Sequence, residues 1–193
     1  MKQVFRSKLA WVFGWAWIVF AAWNAWDLIS RGSMPSALIA GAVLGVITVL
    51  VGLLALRPAI ISEEGGVRVR NPFRTAYVPW SSVDQVRVSN AIVIVAGDTT
   101  IRCWSPQPSA RERAKATRRA NKAQAQAQAS DQRQHDAAAA GRTHADWVAQ
   151  QLSEMAVLRK RNASGAISMS WSPVAIAGLA VAVALVVVTI ALT

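Results

Sequence analysis

Two kinds of hydrophobic pattern alternate along the chain. Residues 9–29, 36–56 and 172–192 are apolar almost throughout, whereas residues 58–104 alternate apolar and polar positions in short bursts. Each apolar run, at about 20 residues, is long enough to cross a hydrocarbon core of about 30 Å. A backbone crossing that core must satisfy its own hydrogen bonds, so each run predicts a helix. Residues 1–56 therefore read as a transmembrane hairpin and 172–192 as a third span.

The patterned segment reads as strands. Arg57-Pro58 stops the second helix, because proline disfavours the helical conformation in the residue before it. Residues 59–62 form a short strand, 63–66 a turn, and Val67-Arg68-Val69-Arg70 alternates as a strand with one buried face. Asn71-Pro72 leads into a strand at 75–78, ended by Pro79-Trp80. Val86 and Val88 alternate with Arg87, residues 91–96 read as a central strand, and Gly97-Asp98 turns the chain into 99–104. Five or six strands in so few residues predict an antiparallel sheet that bends on itself over 57–104. Val67, Val69, Val86, Val88, Ile92 and Ile94 are its expected interior face.

Beyond the sheet the composition shifts again. In the connector 105–142, Arg111, Arg113, Lys115, Arg118, Arg119 and Lys122 face a single Glu112, and an Ala/Gln alternation follows. These residues favour helix but supply no apolar stripe to bury, so the connector is expected to be exposed. Thr143 with Asp146 three residues on resembles a capping box. Trp147 or Val148, Leu152, Met155 and Leu158 or Arg159 then recur at helical spacing, which predicts an amphipathic helix over 143–161.

Charge orients the whole. Of 21 Lys and Arg residues, only Arg31 lies between the first two spans; three precede the first span and the rest fall within 57–161. Basic residues near spans are retained in the cytoplasm. The expected arrangement is a multi-pass membrane protein, with the N-terminus and the 57–161 region cytoplasmic and the C-terminus outside. The first run is too long and too rich in tryptophan for a cleaved signal peptide.

Arg57-Pro58, then Gly66-Val67-Arg68-Val69-Arg70-Asn71-Pro72-Phe73-Arg74, then Val78-Pro79-Trp80-Ser81-Ser82-Val83 resembles the small bacterial PH domains of actinobacterial membrane proteins. The resemblance covers about 57–104 and implies a curved antiparallel sheet closed by a C-terminal helix. The implied fold class is an α+β membrane protein, three transmembrane helices plus a small cytoplasmic PH-like domain. The chain departs from that pattern in having at most six strands, where a full PH domain has seven, and in its delayed capping helix.

Candidate chemistry is sparse. Cys103 is the single cysteine, His135 and His144 are poorly spaced for a metal, and no phosphate loop or nucleophile motif is present, so neither enzymatic activity nor a cofactor is expected. Trp11, Trp15, Trp17, Trp23 and Trp26 crowd the first span; they read as interfacial belts, with an aromatic groove for a lipid or quinone as the alternative. Gly41 and Gly45 put small residues on one stripe, suited to packing within the chain or to a homo-oligomer. Arg68, Arg70 and Arg74, with the six connector cations, are the candidate contacts to anionic lipid or an unidentified protein partner; they otherwise form a solvated face. Tethering of the connector to the membrane at both ends favours lipid over nucleic acid. The expected role is a membrane-anchored adaptor docking a protein or anionic lipid. The alternatives are an accessory subunit of a larger membrane complex, and a small membrane enzyme or transporter.

Overall fold

A computed structural model describes residues 3–105, 114–115, 117–118, 143–160 and 165–192. The elements are β1 (Gln3–Phe5), α1 (Lys8–Arg31), α2 (Ser36–Val51) with a π-helical continuation (Gly52–Leu56), β2 (Ala59–Ser62), β3 (Gly66–Arg70) and β4 (Arg74–Pro79). After a 3-10 turn at Trp80–Ser82 come β5 (Gln85–Val88), β6 (Ile92–Ala96), β7 (Thr99–Arg102), α3 (His144–Arg159), β8 (Ser168–Trp171) and α4 (Pro173–Leu192).

Among the described residues, three helices are long and apolar enough to cross a membrane: α1, α2 with its continuation, and α4. The α2 helix packs against both others. Its contact with α1 includes a hydrogen bond from Trp17 Nε1 to Thr48 Oγ1 at 3.1 Å. Its contact with α4 uses small residues. A Cβ on Gly45 would stand 2.6 Å from Leu185 Cδ1, and one on Gly178 would stand 3.2 Å from Val49. Missing side chains let these two helices close up. Gly41 has open space beside it.

The strands form two antiparallel sheets, ordered β1-β2-β3-β4-β8 and β5-β6-β7. Residues 57–104 supply six strands. The sheet recruits two more from segments that adjoin the spans. In β1, Val4 pairs with Ile61 and Phe5 with Ile60. In β8, Ser168 pairs with Tyr77 and Trp171 with Arg74. The expected five or six strands of 57–104 are thus met at six, and the two further strands come from outside that stretch, β1 from within 1–56.

One core lies between the two sheets and α3. Ile60, Val67, Val69, Val78, Trp80, Ile92 and Ile94 are fully buried, while Val86 and Val88 are half-buried against them. Trp80 plugs this core and donates from Nε1 to the Glu63 carbonyl at 3.0 Å. The α3 helix starts on a capping box, in which the Thr143 side chain accepts from Asp146 N and Asp146 accepts from Thr143 N. Ala145, Val148, Leu152 and Ala156 enter the core at helical spacing. Leu158 is exposed, and Trp147 is half-exposed, edge-on to Phe5.

Candidate functional site

Strand direction gives the domain two unlike ends. Phe5 ends β1 just before α1, Ala59 opens β2 just after the α2 continuation, and Trp171 ends β8 just before α4. The pairings Phe5↔Ile60, Ala59↔Arg70 and Arg74↔Trp171 place all three joints at the same end of the five-stranded sheet. Asn71 ties the second sheet to that end: its Nδ2 donates to the Arg102 carbonyl at 2.9 Å, and its Oδ1 accepts from Trp104 N at 2.8 Å.

The charges separate accordingly. Arg57, Arg70, Arg74 and Arg102 stand at the helix-bearing end. Glu63, Glu64, Asp84 and Asp98 sit in the turns β2–β3, β4–β5 and β6–β7 at the opposite end, where Arg68 pairs with Glu63 and Arg159 donates from Nη1 to the Glu63 carbonyl at 3.1 Å, so the acidic excess there is partly offset. There Asp84 accepts from Gly97 N at 2.6 Å, and Gly97 takes a positive φ of 56° that favours glycine.

A cleft of about 570 Å³ opens at the basic end, between residues 71–74, Arg102, Trp104 and Trp171. Its walls are fixed. Arg57 donates from Nη1 to the Pro72 carbonyl at 3.0 Å and from Nη2 to Thr75 Oγ1 at 3.1 Å, bracing the β3–β4 turn against the end of α2. Burial, then the neighbouring Arg70, push the Arg57 guanidinium below its ordinary pKa. The Arg74 guanidinium lies over the Trp171 ring, 4.5 Å from its centroid. Ser172 N donates to the Phe73 carbonyl at 2.9 Å, holding the start of α4 against the same turn. Cys103 forms part of the cleft wall, but its side chain is buried and burial pushes its thiol up to about 12.

The structure divides the candidate arginines. Arg74 lines the cleft, and Arg70 is exposed at the same end. Arg68 serves the opposite half: its Nε and Nη2 reach the two Glu63 carboxylate oxygens at 2.8 and 3.1 Å, and it lies over the Tyr77 ring. The hydrogen bond to Glu63 raises its pKa. Arg68 is therefore paired, rather than simply solvated, and Glu63 carries a counter-charge within its own turn. Lys115 and Arg118 are exposed in helical conformation. Arg111, Arg113, Arg119 and Lys122 lie outside the described residues. Arg57, Arg102 and Trp171 join the site without having been singled out. Arg102 ends a strand whose partner loop is known only from the fold, and Trp171 reads in sequence only as the residue before a span.

A second cavity, about 870 Å³, lies among α1, α2 and α4 in the half remote from the domain, lined by residues such as Ala21, Ala25, Gly41, Gly45 and Leu185. No tryptophan of α1 lines it. Among the described residues, no three His, Cys, Asp or Glu side chains gather as a metal site would require.

Residues 57–146 match the model of the bacterial PH domain family. The chain carries a bacterial PH domain. No curated protein and no solved structure matches the chain. The matched stretch takes in β2 to β7 and stops within the first turn of α3, so β1 and β8 are additions that fasten this PH domain to its helices. The three apolar helices on the same chain and this PH-like domain together fit a membrane-associated PH protein.

Proposed function

We propose that the protein is a membrane-anchored, non-catalytic PH adaptor that docks a protein partner at the inner face of a bacterial plasma membrane. The observation that carries this reading is the shortness of the joints. Two residues separate β1 from α1, two separate the α2 continuation from β2, and Ser172 alone separates β8 from α4. A PH domain recruited from solution must use affinity to reach a membrane. This one is built into the sheet ends of three spans, so its contribution is the surface it holds out. The acidic end faces away from the helices. Near it, Val157 and Leu158 in the last turn of α3 are 79% and 80% exposed, an apolar patch suited to a partner. The inner-face placement rests on the one-sided distribution of Lys and Arg.

The test is purification of the full chain in mild detergent and identification of proteins that stay bound. A stoichiometric partner lost with Val157→Ser and Leu158→Ser supports the adaptor reading. A partner that survives those changes supports the accessory-subunit reading, which the open cavity among the three helices favours. No bound protein at all refutes both. A reporter active only outside the cytoplasm should work when fused after Thr193 and fail after Trp104.

A further inference from the structure

We infer that the cleft at the helix-bearing end of the PH domain holds the phosphate headgroup of an anionic phospholipid from the bilayer in which the protein sits. The inference rests on the membrane-anchored reading above and names a ligand for one end of that domain.

Position is the first argument. Trp171, a wall of the cleft, lies two residues before the first residue of α4, and Arg57 follows directly on the last residue of the α2 continuation. The cleft therefore stands level with the ends of two apolar helices, where headgroups lie. Charge is the second. Arg74 and Arg102 are exposed on the cleft, with Arg57 and Arg70 close behind. The carboxylates of the sheet turns are at the other end, and Asp146 is engaged in the α3 cap. A guanidinium stacked on an indole keeps its edge N–H groups free, and that planar fork fits two phosphate oxygens.

The walls decide the source of the phosphate. Phe73, Trp104 and Trp171 are 44%, 46% and 60% exposed around the arginines. Aromatic rings with an apolar body favour the headgroup boundary, where glycerol and the first acyl carbons would cover them. A free phosphate ion would leave all three in contact with water. A choline headgroup would bring its cation toward two arginines with no carboxylate to balance it. The volume falls within the range of small-molecule sites, and the bonds from Asn71, Arg57 and Ser172 hold it open.

The full-length protein, purified in mild detergent and titrated with phosphatidylglycerol or phosphatidylcholine, should be read by native mass spectrometry. One phosphatidylglycerol per chain should be retained, with at least about tenfold preference over phosphatidylcholine, two basic residues at an anionic surface being sufficient for that. Arg74→Gln with Arg102→Gln should cut retention roughly 30-fold, whereas Arg87→Gln, an exposed arginine outside the cleft, should change it less than about twofold. Both cleft side chains are exposed, so the thermal midpoint should stay at the wild-type value. If the double variant nonetheless misfolds, Arg74→Lys with Arg102→Lys should keep part of the binding and lose the rest with the bidentate fork. Millimolar inorganic phosphate should not displace the lipid. Equal retention of the two lipids, an unaffected glutamine pair, or displacement by inorganic phosphate would overturn the inference. Any of these in a correctly inserted protein leaves the adaptor reading standing, whereas a reporter placing the domain outside the cell would undo that reading first.

Discussion

Phe5 offers the sharpest test of how the domain is assembled, because it lies far outside the matched PH stretch yet sits in the PH core. Its side chain is 7% exposed, pairs across the sheet with Ile60, and meets the Trp147 ring edge-on at 6.2 Å between centroids. Truncating a buried phenylalanine to alanine costs about 3–5 kcal/mol through lost transfer energy and the cavity left behind. The edge-on pair accounts for roughly 1 kcal/mol of that, and β1 is a three-residue edge strand that can give way, so the lower half of the range applies. Native-state hydrogen exchange in detergent reads the effect directly. Amides of β2 and β6 that open only with the whole domain should exchange about 100- to 1,000-fold faster in Phe5→Ala, since each 1.4 kcal/mol is tenfold. Val4, on the same strand but 47% exposed, is the control, and Val4→Ala should change those rates less than about threefold. Equal effects at Val4 and Phe5, or no acceleration in β6, would mean that β1 is not part of the PH core.

Three further outcomes follow from particular contacts. The buried Cys103 thiol titrates at about 12 against an ordinary value of 9.0, so the unfolded chain loses its proton first. Its contribution is intact below pH 9 and falls by up to about 1.4 kcal/mol per pH unit from there toward 12; thermal unfolding should show that alkaline slope, and Cys103→Ala should flatten it at the expense of a small uniform loss. Gly45→Val should force Leu185 out of its seat and lower the detergent melting temperature, whereas Gly41→Val should be tolerated; equal sensitivity would place the helix contact elsewhere or reveal a second chain at Gly41. Arg68→Gln breaks a pair whose two side chains are 38% and 27% exposed, so the loss should be only about 0.5–1 kcal/mol by chemical denaturation; a loss several times larger would show that the pair is shielded from solvent.

The strand pattern of residues 57–104 is legible because its period is 2 and one face must be buried. Val67 and Val69 end in the core, and Arg68 and Arg70 end outside it, as alternation requires. The capping box at Thr143 and Asp146 is equally local, since both partners lie within one turn. The two outer strands are not legible. Gln3–Phe5 is too short to show a period, and every residue of Ser168–Trp171 is exposed, so nothing in its composition announces a buried face. The site suffers from the same blindness to distant pairing. Arg74 is visible beside the Asn71-Pro72 turn, but Arg102 and Trp104 reach that turn only through one hydrogen bond each with Asn71, and Trp171 only through β4–β8 pairing. Arg68 is a subtler case: its alternation is right, but its counter-ion Glu63 stands across a turn whose acidity, in sequence, looks merely repulsive.

The additions to the PH sheet change what the domain can do physically. Two residues of extended chain reach about 7 Å at most, so none of the three joints lets the sheet rise far from the ends of its helices. Lifting the domain would require breaking the pairing of β1 with β2 or of β8 with β4, and the latter also carries the Arg74–Trp171 contact. The sheet therefore stands as a fixed post on its spans, with its basic end held at the level of the helix termini and its acidic end held away. A tethered domain on a long linker samples many heights and angles, and any headgroup contact then competes with that freedom. Here the ordering cost is met during folding. A headgroup bound in the cleft would lose only its own mobility, and a partner docked at the far end would meet a surface that already points in one direction.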